Sequence, residues 1–305
     1  MSSRMNDYVL ETKLGKGSFG SVYLVRRKRD SKPFVVKEQH LNSENALSFK
    51  IVEAEVRSLQ KTRHPNIVEY HGAWMENDCS YIFMEYATRC TLKDLLDARQ
   101  VPLKEQDALY LFSQIILGVH HIHFQKILHR DLKPENIMLT GSSGDIVKIG
   151  DFGVSKNLRE WRELLTRCKA GSYYYMAPEM HVGQTYDFKC DIWSMGVILY
   201  QMVTKNLPYP ATSLEEIIRT VQNDGPQPLP EDTSPAVVNL ISKMLRKDPA
   251  RRPKAEQLIL CPYIVPLIAR VYLNLGRTLN PLDRQENHGA QVFLKFLKPR
   301  NTIAS

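Results

Sequence analysis

The residues whose types and spacing point most directly to chemistry lie at 129–136 and 151–153. The first run reads His-Arg-Asp-Leu-Lys-Pro-Glu-Asn, and the second reads Asp-Phe-Gly. Asp131 can accept the proton of an incoming hydroxyl group. Asn136 and Asp151 offer hard oxygen ligands of the kind that Mg²⁺ prefers. Short motifs recur by chance, but two in this order make chance a poor explanation and predict a phosphoryl-transfer site.

A glycine-rich stretch at residues 15–22 lies between two predicted strands. This context excludes a dinucleotide-binding turn, which needs a helix N-terminus beside the pyrophosphate. Glycine lets the backbone approach phosphate oxygens and direct N–H groups at them. A plain hairpin tip is the alternative for the loop alone, and the other motifs favour a phosphate-binding loop. The predicted nucleotide-binding residues here are Leu14, Gly15, Lys16, Gly17, Ser18, Phe19, Gly20, Ser21 and Val22.

Lys37 follows the short apolar strand at residues 34–36 and is predicted to neutralise the inner phosphates of the nucleotide. A lysine at a strand end can instead extend its ammonium into solvent. The helix predicted between residues 43 and 62 offers Glu55 as a partner, with Glu53 on a different face as the competitor. Lys133 would place a second cation beside the γ-phosphate. The predicted catalytic residues are therefore Asp131, Lys133, Lys37 and Glu55.

An adenine pocket is predicted where a strand gives way to a linker at residues 84–87. Backbone groups of the linker can bond the adenine edge, while apolar side chains form the walls. Each of these apolar residues alone also fits an ordinary core position. The predicted pocket residues, besides Val22, are Val35, Met84, Glu85, Tyr86 and Met138.

The hydrophobic pattern divides the chain into two parts. The first 85 or so residues are β-rich with one helix, and strand-like runs occur at 67–70 and 81–84. From residue 91 onward helices dominate, and the stretches 106–124 and 192–203 are apolar on several faces, which predicts deep burial. Residues 223–232 are predicted to form a loop.

Composition excludes several classes of protein. The 305 residues are 43% hydrophobic, without the run of about 18 apolar residues that a membrane span needs. The polar start argues against a secretory signal. Five scattered cysteines argue against a disulfide framework and for a reducing compartment. The charge of +8 includes a basic run at 26–29, which fits a solvated hairpin tip better than a nucleic-acid patch.

Residues 8 to about 268 resemble a eukaryotic protein kinase domain. Residues 177–179, Ala-Pro-Glu, match the end of that family's activation segment, and 191–196 resemble its buried helix. Arg252 matches the arginine that pairs with the glutamate of that motif, here Glu179. The Lys-Pro-Glu-Asn string resembles the serine/threonine branch. The features that resemble the NIMA-related (Nek) kinases are residues 26–28, the spacing of 55–56 to 64–68, and residues 81–86 and 174–176.

The resemblance implies a two-lobed α+β fold, a protein serine/threonine kinase activity, and dependence on ATP and Mg²⁺. Its domain would cover 8–268, with a β-rich N-lobe at 8–86, a mainly helical C-lobe at 87–268 and a tail at 269–305. Protein substrates are the implied partners, with neither nucleic acid nor membrane expected. A cytoplasmic location follows, with cytoskeletal, centrosomal or nuclear association open. The alternatives are a pseudokinase that serves as a nucleotide-binding or scaffold module, and a small-molecule kinase.

Regulation is predicted from the same resemblance. Arg130, beside the catalytic aspartate, resembles that of kinases switched by phosphorylation of the activation segment. Nek kinases often place a phosphorylatable residue where this chain has Cys168. Thr166 is the best hydroxyl in this stretch, because Ser155 lies too close to residues 151–153 and Ser172 is expected to serve the substrate channel. Ser172 keeps a hydroxyl near the substrate channel, whereas Tyr173 stands where the family commonly has proline.

Overall fold

The computed structural model describes residues 5–17, 20–41, 46–87, 89–151 and 171–278. The predicted site residues Ser18, Phe19 and Thr166 lie outside these ranges, as do residues 279–305 of the predicted tail. The backbone of Lys16 is described but its side chain is not.

The N-terminal part is a five-stranded antiparallel sheet with strand order β1-β2-β3-β5-β4. On one face Phe34 and Val36 pack with Val25 and Phe83 in a small apolar cluster. Because successive side chains of a strand point to opposite faces, Lys37 lies on the other face. The strands are β1 (Tyr8–Gly17), β2 (Gly20–Arg27), β3 (Pro33–His40), β4 (Tyr70–Glu76) and β5 (Cys79–Glu85).

Two strands differ from their predictions. β3 does not end before Lys37 but continues to His40, because its backbone pairs with β2 on one side and β5 on the other. The predicted strand at 67–70 is wrong in most of its length. β4 begins only at Tyr70, and Ile67 forms an isolated parallel bridge with Ile149.

One helix, α1 (Ala46–Lys61), lies against this sheet. Its side chains at Val52, Glu55 and Leu59 are each 4% exposed. The steps of three and four residues place them on one helical face, as the sequence predicts. Glu55 is therefore a carboxylate within an otherwise apolar stripe, which requires polar partners on the sheet.

The C-terminal part is mainly helical and includes a small three-stranded sheet in the order β6-β7-β8. The strands are β6 (Cys90–Thr91), β7 (Ile137–Thr140) and β8 (Ile146–Ile149). The helices are α2 (Leu92–Ala98), α3 (Glu105–Phe124), α4 (Pro178–His181), α5 (Lys189–Thr204), α6 (Leu214–Asn223), α7 (Pro235–Met244), α8 (Ala255–Ile259) and α9 (Val265–Thr278).

Helices α3 and α5 form the centre of this part. Ile115, Ile116, Val119 and Ile122 of α3 are fully buried, and nearly every residue of α5 is buried, in agreement with the predicted burial. Thus both elements beside the predicted catalytic loop are rigid. Among the described residues no helix combines the length and apolar character needed to cross a membrane.

Helix α9 continues past residue 268, where the sequence predicts the domain to end. Its Asn274 donates a hydrogen bond of 2.8 Å to the hydroxyl of Tyr110 on α3, and the Arg270 guanidinium lies over the same ring. Ile268 and Val271 are buried. The helix thus continues to Thr278, and Val271 and Leu275 of the predicted tail are buried.

Candidate active site

The loop after α3 is attached to the core of the helical part by Asp191 on α5. Its carboxylate accepts backbone N–H hydrogen bonds from His129 at 3.0 Å and Arg130 at 2.8 Å. It also accepts a 2.8 Å bond from Nε2 of His123. Burial by itself raises the pKa of Asp191, but the bonds from His123 and His129 lower it below its ordinary value. A buried anion therefore fixes the backbone that precedes Asp131.

Asp131 and Asn136 meet within this loop. The Asn136 amide donates to the backbone oxygen of Asp131 at 2.7 Å and to its Oδ2 at 3.2 Å. Lys133 Nζ donates to the same Oδ2 at 2.8 Å. Within the described ranges every hydrogen bond to the Asp131 carboxylate uses Oδ2, and Oδ1 accepts none.

Ser172 is brought to this loop by the turn Ser172–Tyr175. Lys133 Nζ donates to Ser172 Oγ at 2.7 Å, so one ammonium joins the predicted base to the predicted substrate-channel hydroxyl. The turn itself is attached to α5. The Tyr175 hydroxyl donates to Gln201 at 2.6 Å, and Ser194 donates to the backbone oxygen of Tyr175 at 2.7 Å.

Across the junction of the two parts, Lys37 contacts two carboxylates. Its Nζ lies 2.7 Å from Glu55 Oε1 and 3.4 Å from Asp151 Oδ1. Glu53, the competing partner, is exposed and pairs with Arg57 instead. Burial disfavours the charged ammonium, but the carboxylates of Asp151 and Glu55 together raise the pKa of Lys37. In return, the Lys37 charge lowers the pKa of Asp151.

Asn136 and Asp151 supply a donor set that fits Mg²⁺. The Asn136 amide nitrogen is directed at Asp131, which turns its amide oxygen elsewhere, and the Asp151 side chain is 51% exposed. The backbone N–H of Gly150 donates to the Asn136 carbonyl at 2.9 Å, which holds the two candidate ligands close together. Both ligands are hard oxygens, as Mg²⁺ requires.

The predicted phosphate loop is a β1–β2 hairpin. Leu14, Gly15, Lys16 and Gly17 lie on β1, and Gly20, Ser21 and Val22 lie on β2. A side chain is impossible at Gly20, because a Cβ there would lie 1.7 Å from the backbone oxygen of Glu38 on β3. The close approach of β2 to β3 therefore accounts for this glycine, whereas a Cβ at Gly15 would meet open space.

The predicted adenine walls come from four strands, β2, β3, β5 and β7. Val22 pairs with Lys37, and Val35 pairs with Met84, so these side chains are placed by the registers of β2, β3 and β5. Met138 on β7 comes so near Gly150 that a Cβ on that glycine would lie 2.6 Å from its Cε.

The predicted linker begins at the end of β5. Glu85 accepts hydrogen bonds from Lys148 at 2.8 Å and from the Glu69 N–H at 3.2 Å, and Tyr86 follows it, half-buried. These bonds join the linker to both parts of the fold.

Glu179 and Arg252 form the buried pair that the kinase resemblance implies. The two guanidinium nitrogens Nη1 and Nη2 each lie 2.7 Å from a carboxylate oxygen. Arg252 also lies over the ring of Trp193 on α5, 5.0 Å from its centroid. The end of the activation segment is thereby fixed to the helical core.

Arg130 is held in an unusual conformation. Its backbone has φ +68°, a left-handed value that costs free energy for a residue other than glycine, and the Asp191 bond supports it. Its guanidinium lies 5.7 Å from the ring centroid of Tyr186. Among the described residues its buried Nε has no hydrogen-bond partner.

Two groups at this site were not singled out from the sequence. Asp191 lies in the run that resembles the buried kinase helix, but its role as anchor depends on contacts across the fold. Gln39 donates to Glu55 at 3.0 Å from two residues beyond Lys37. The two-residue spacing, which puts both on one strand face, was the available signal.

The sheet with its one helix, the helical part and the charged groups at their junction define the two-lobed α+β protein kinase architecture. The family model described as the protein kinase domain matches residues 8–264. The chain belongs to this family.

The most similar curated proteins include several Nek kinases. Serine/threonine-protein kinase Nek5 of Mus musculus is 36% identical over 270 residues, which cover 87% of this chain and 42% of that protein. Nek8 of Danio rerio is 33% identical over 273 residues, or 89% of this chain and 39% of that protein. Nek11 of Homo sapiens is 37% identical over 264 residues, with 84% and 40% covered.

These similarities confirm the resemblance to Nek kinases. The chain spans about two-fifths of the length of these relatives, so they exceed the matched region by a wide margin.

Proposed function

We propose that the protein is a NIMA-related serine/threonine protein kinase that transfers the γ-phosphate of ATP to protein hydroxyls. One observation carries the proposal: Lys133 bonds both Asp131 and Ser172, while Lys37 contacts Glu55 and Asp151. The first set faces a protein substrate and the second a nucleotide. The match to the protein kinase domain and the Nek relatives support this assignment.

In the proposed reaction the substrate hydroxyl oxygen attacks the γ-phosphorus of ATP, and the bond to the β,γ-bridging oxygen breaks to release ADP. Asp131 orients the hydroxyl and takes its proton through Oδ1. Because the transition state is loose, little proton abstraction is needed early in the reaction. Lys133, whose Nζ lies 2.8 Å from Asp131 Oδ2, offsets the charge of the transferred phosphoryl group.

Lys37, held by Glu55, binds the inner phosphates, and the β1–β2 hairpin covers them. Asn136 and Asp151 would hold Mg²⁺, which would supply positive charge that offsets the charge of the phosphate oxygens. Val22, Val35, Met84 and Met138 enclose the adenine, with the backbone of the linker at residues 85–86 at its edge.

A pseudokinase is the alternative from another functional class, and no observation favours it. Lys37, Asp131, Asn136 and Asp151 are all present and face the cleft. We expect protein substrates rather than nucleic acid, because within the basic run Arg26 pairs with Glu11 and Arg27 with Asp30. A cytoplasmic location remains a prediction.

We further propose that phosphorylation of Thr166 activates the enzyme through Arg130. A phosphate adds nearly two negative charges and three acceptor oxygens, which suit an arginine whose Nε lacks a described partner. Autophosphorylation at Thr166 should raise activity, and Thr166→Ala should abolish that gain. Mass spectrometry showing fully active protein unmodified at Thr166 would contradict this, and would favour control by a partner or by oxidation at Cys168.

The activity is tested by incubating the purified chain with MgATP and peptide libraries that carry Ser, Thr or Tyr acceptors. Ser and Thr peptides should be phosphorylated. Asp131→Asn should lower kcat by about 10²- to 10⁴-fold with little change in ATP affinity, because the hydroxyl loses its orienting base. Glu135→Gln, which changes another carboxylate of the same loop, is the control against general damage. Equal rates in parental and Asp131→Asn proteins would refute the assigned base.

A further inference from the structure

Two buried polar side chains, Gln39 and Ser80, extend the hydrogen-bond network of the Lys37–Glu55 pair. Gln39 Nε2 donates to Glu55 Oε2 at 3.0 Å, and Ser80 Oγ donates to Gln39 Oε1 at 3.2 Å. Gln39 is 4% exposed and Ser80 is 1% exposed. Buried polar groups need partners, and here each of these groups finds one in the next.

The backbone registers place these residues. Gln39 lies two positions after Lys37 on β3, so both side chains leave the same face of the sheet, the face toward α1. The antiparallel register pairs Gln39 with Ser80 on β5. The glutamine side chain thus spans from the sheet to Glu55 in the buried stripe of the helix.

The chemistry of the partners fixes the orientation of the amide. An ionised carboxylate only accepts hydrogen bonds, so the NH₂ group of Gln39 faces Glu55. Its oxygen then faces Ser80, whose hydroxyl donates. Glu55 consequently has a different donor on each oxygen, Lys37 on Oε1 and Gln39 on Oε2. Loss of Gln39 would leave Oε2 buried without this bond.

We propose that Gln39, oriented by Ser80, is a positioning residue for phosphoryl transfer that holds α1 against the sheet through Glu55. This rests on the proposed kinase function, in which Glu55 keeps Lys37 on the phosphates. The hydrogen bond from Gln39 to Glu55 thus joins β3 to α1 and stabilises the position of the helix against the sheet.

The first test is Gln39→Leu, which keeps the volume of the side chain but removes the donor. We expect kcat to fall by about tenfold to a hundredfold, as for the loss of a hydrogen bond to a charged group, with the KM for peptide unchanged. Ser80→Ala should lower kcat only a few-fold, because the amide keeps its bond but loses its orienting partner. Glu38→Gln is the matched control, since Glu38 lies on the opposite face and bonds Tyr81.

A double-mutant cycle separates positioning from general stability. In a Glu55→Ala background the Gln39→Leu change should cause little further loss of kcat, because Gln39 acts through Glu55. Losses that multiply in full would overturn the proposal, as would parental kcat in Gln39→Leu.

Hydrogen exchange provides a readout that does not require catalysis. Backbone amides of α1 should exchange faster in Gln39→Leu than in the parental protein, while those of α5 stay the same. Should the parental protein phosphorylate nothing, the proposed function fails, yet this comparison still tests the position of α1. If Gln39→Leu does not fold, Ser80→Ala serves instead. Unchanged α1 exchange in a folded variant would refute the positioning role.

Discussion

Two ion pairs of the molecule use similar charges in different surroundings. Lys37 lies between two carboxylates, at 2.7 Å from Glu55 and 3.4 Å from Asp151, and the Asp151 side chain is 51% exposed. Arg252 is only 2% exposed and directs its donors at both oxygens of Glu179 and at three backbone carbonyl oxygens, all at 3.0 Å or less.

The two cations differ in how many of their N–H donors are satisfied within the protein. All five N–H groups of Arg252 have acceptors, so the buried cation has no capacity for a ligand. Lys37, in contrast, makes a longer contact of 3.4 Å to Asp151, whose side chain is half exposed. Lys37, which we propose binds phosphates, keeps this longer and exchangeable contact, whereas Arg252, which maintains the fold, satisfies every donor internally.

The largest effect on folding is expected from Arg252→Met. Removing one partner of a buried pair leaves Glu179 as an uncompensated charge, so the free energy of unfolding should fall by about 3–5 kcal/mol. Urea unfolding measures this. Arg251→Met is the matched control, because Arg251 is exposed, pairs with Asp248 at 3.5 Å and should contribute less than about 1 kcal/mol. Equal effects of the two variants would remove the contrast.

Lys37→Met should show the reverse pattern. We expect kcat to fall by about 10²- to 10³-fold, because phosphate stabilisation is lost. Stability should fall less than in Arg252→Met, because the buried Glu55 keeps its hydrogen bond from Gln39. Glu55→Gln should impair the same step, and the double variant should lose little more than either single one. Steady-state kinetics and thermal unfolding together check this, with Lys28→Met as an exposed control. Fully additive losses would mean that Glu55 does not act through Lys37.

Asp151→Asn tests the half-exposed carboxylate that contacts Lys37. The Mg²⁺ concentration needed for half-maximal activity should rise at least roughly tenfold, since a metal ligand loses its charge. A magnesium titration at fixed ATP measures it, with Asp97→Asn as the exposed control. An unchanged requirement would show that Asp151 does not hold the metal.

The smallest effect is a pH dependence from Asp191. Its pKa is lowered in the folded protein, so between that value and the unfolded value of about 4 the unfolded chain binds more protons. The free energy of unfolding therefore rises with pH in this window, and the contribution of Asp191 is lost on acidification. Asp191→Asn should flatten that part of the profile, measured by urea unfolding from pH 2 to 7, whereas the exposed Asp232→Asn should not. A profile identical to the parental one would contradict the anchoring role.

The catalytic loop could be grouped from the sequence because its members are close along the chain. Asp131, Lys133 and Asn136 meet through local backbone geometry, and the motif at Asp151 follows in the expected order. The division into a β-rich part and a helical part likewise followed from the shift between strand-like and helix-like periodicity, and the resemblance to protein kinases implied the two lobes. Local information was sufficient for these features.

Other features depend on strand pairing and helix packing between distant residues, which no local sequence pattern predicts. The polar run after Val36 does not read as a strand, yet β3 continues through it because both neighbouring strands pair with its backbone. The bond between Gln39 and Glu55 needs that register together with the placement of α1. The packing of α9 against Tyr110 similarly joins residues far apart in sequence.

The attachment of His129 and Arg130 to Asp191 has a consequence for the lifetime of the catalytic loop. Both amides donate to a carboxylate that is fully buried in the most enclosed helix of the large lobe. Their exchange with solvent requires an opening that breaks these bonds to the buried helix, so we expect both amides to be strongly protected. We therefore expect the loop to keep its form until the lobe unfolds, and heat to end catalysis by melting the scaffold rather than by loosening the loop alone.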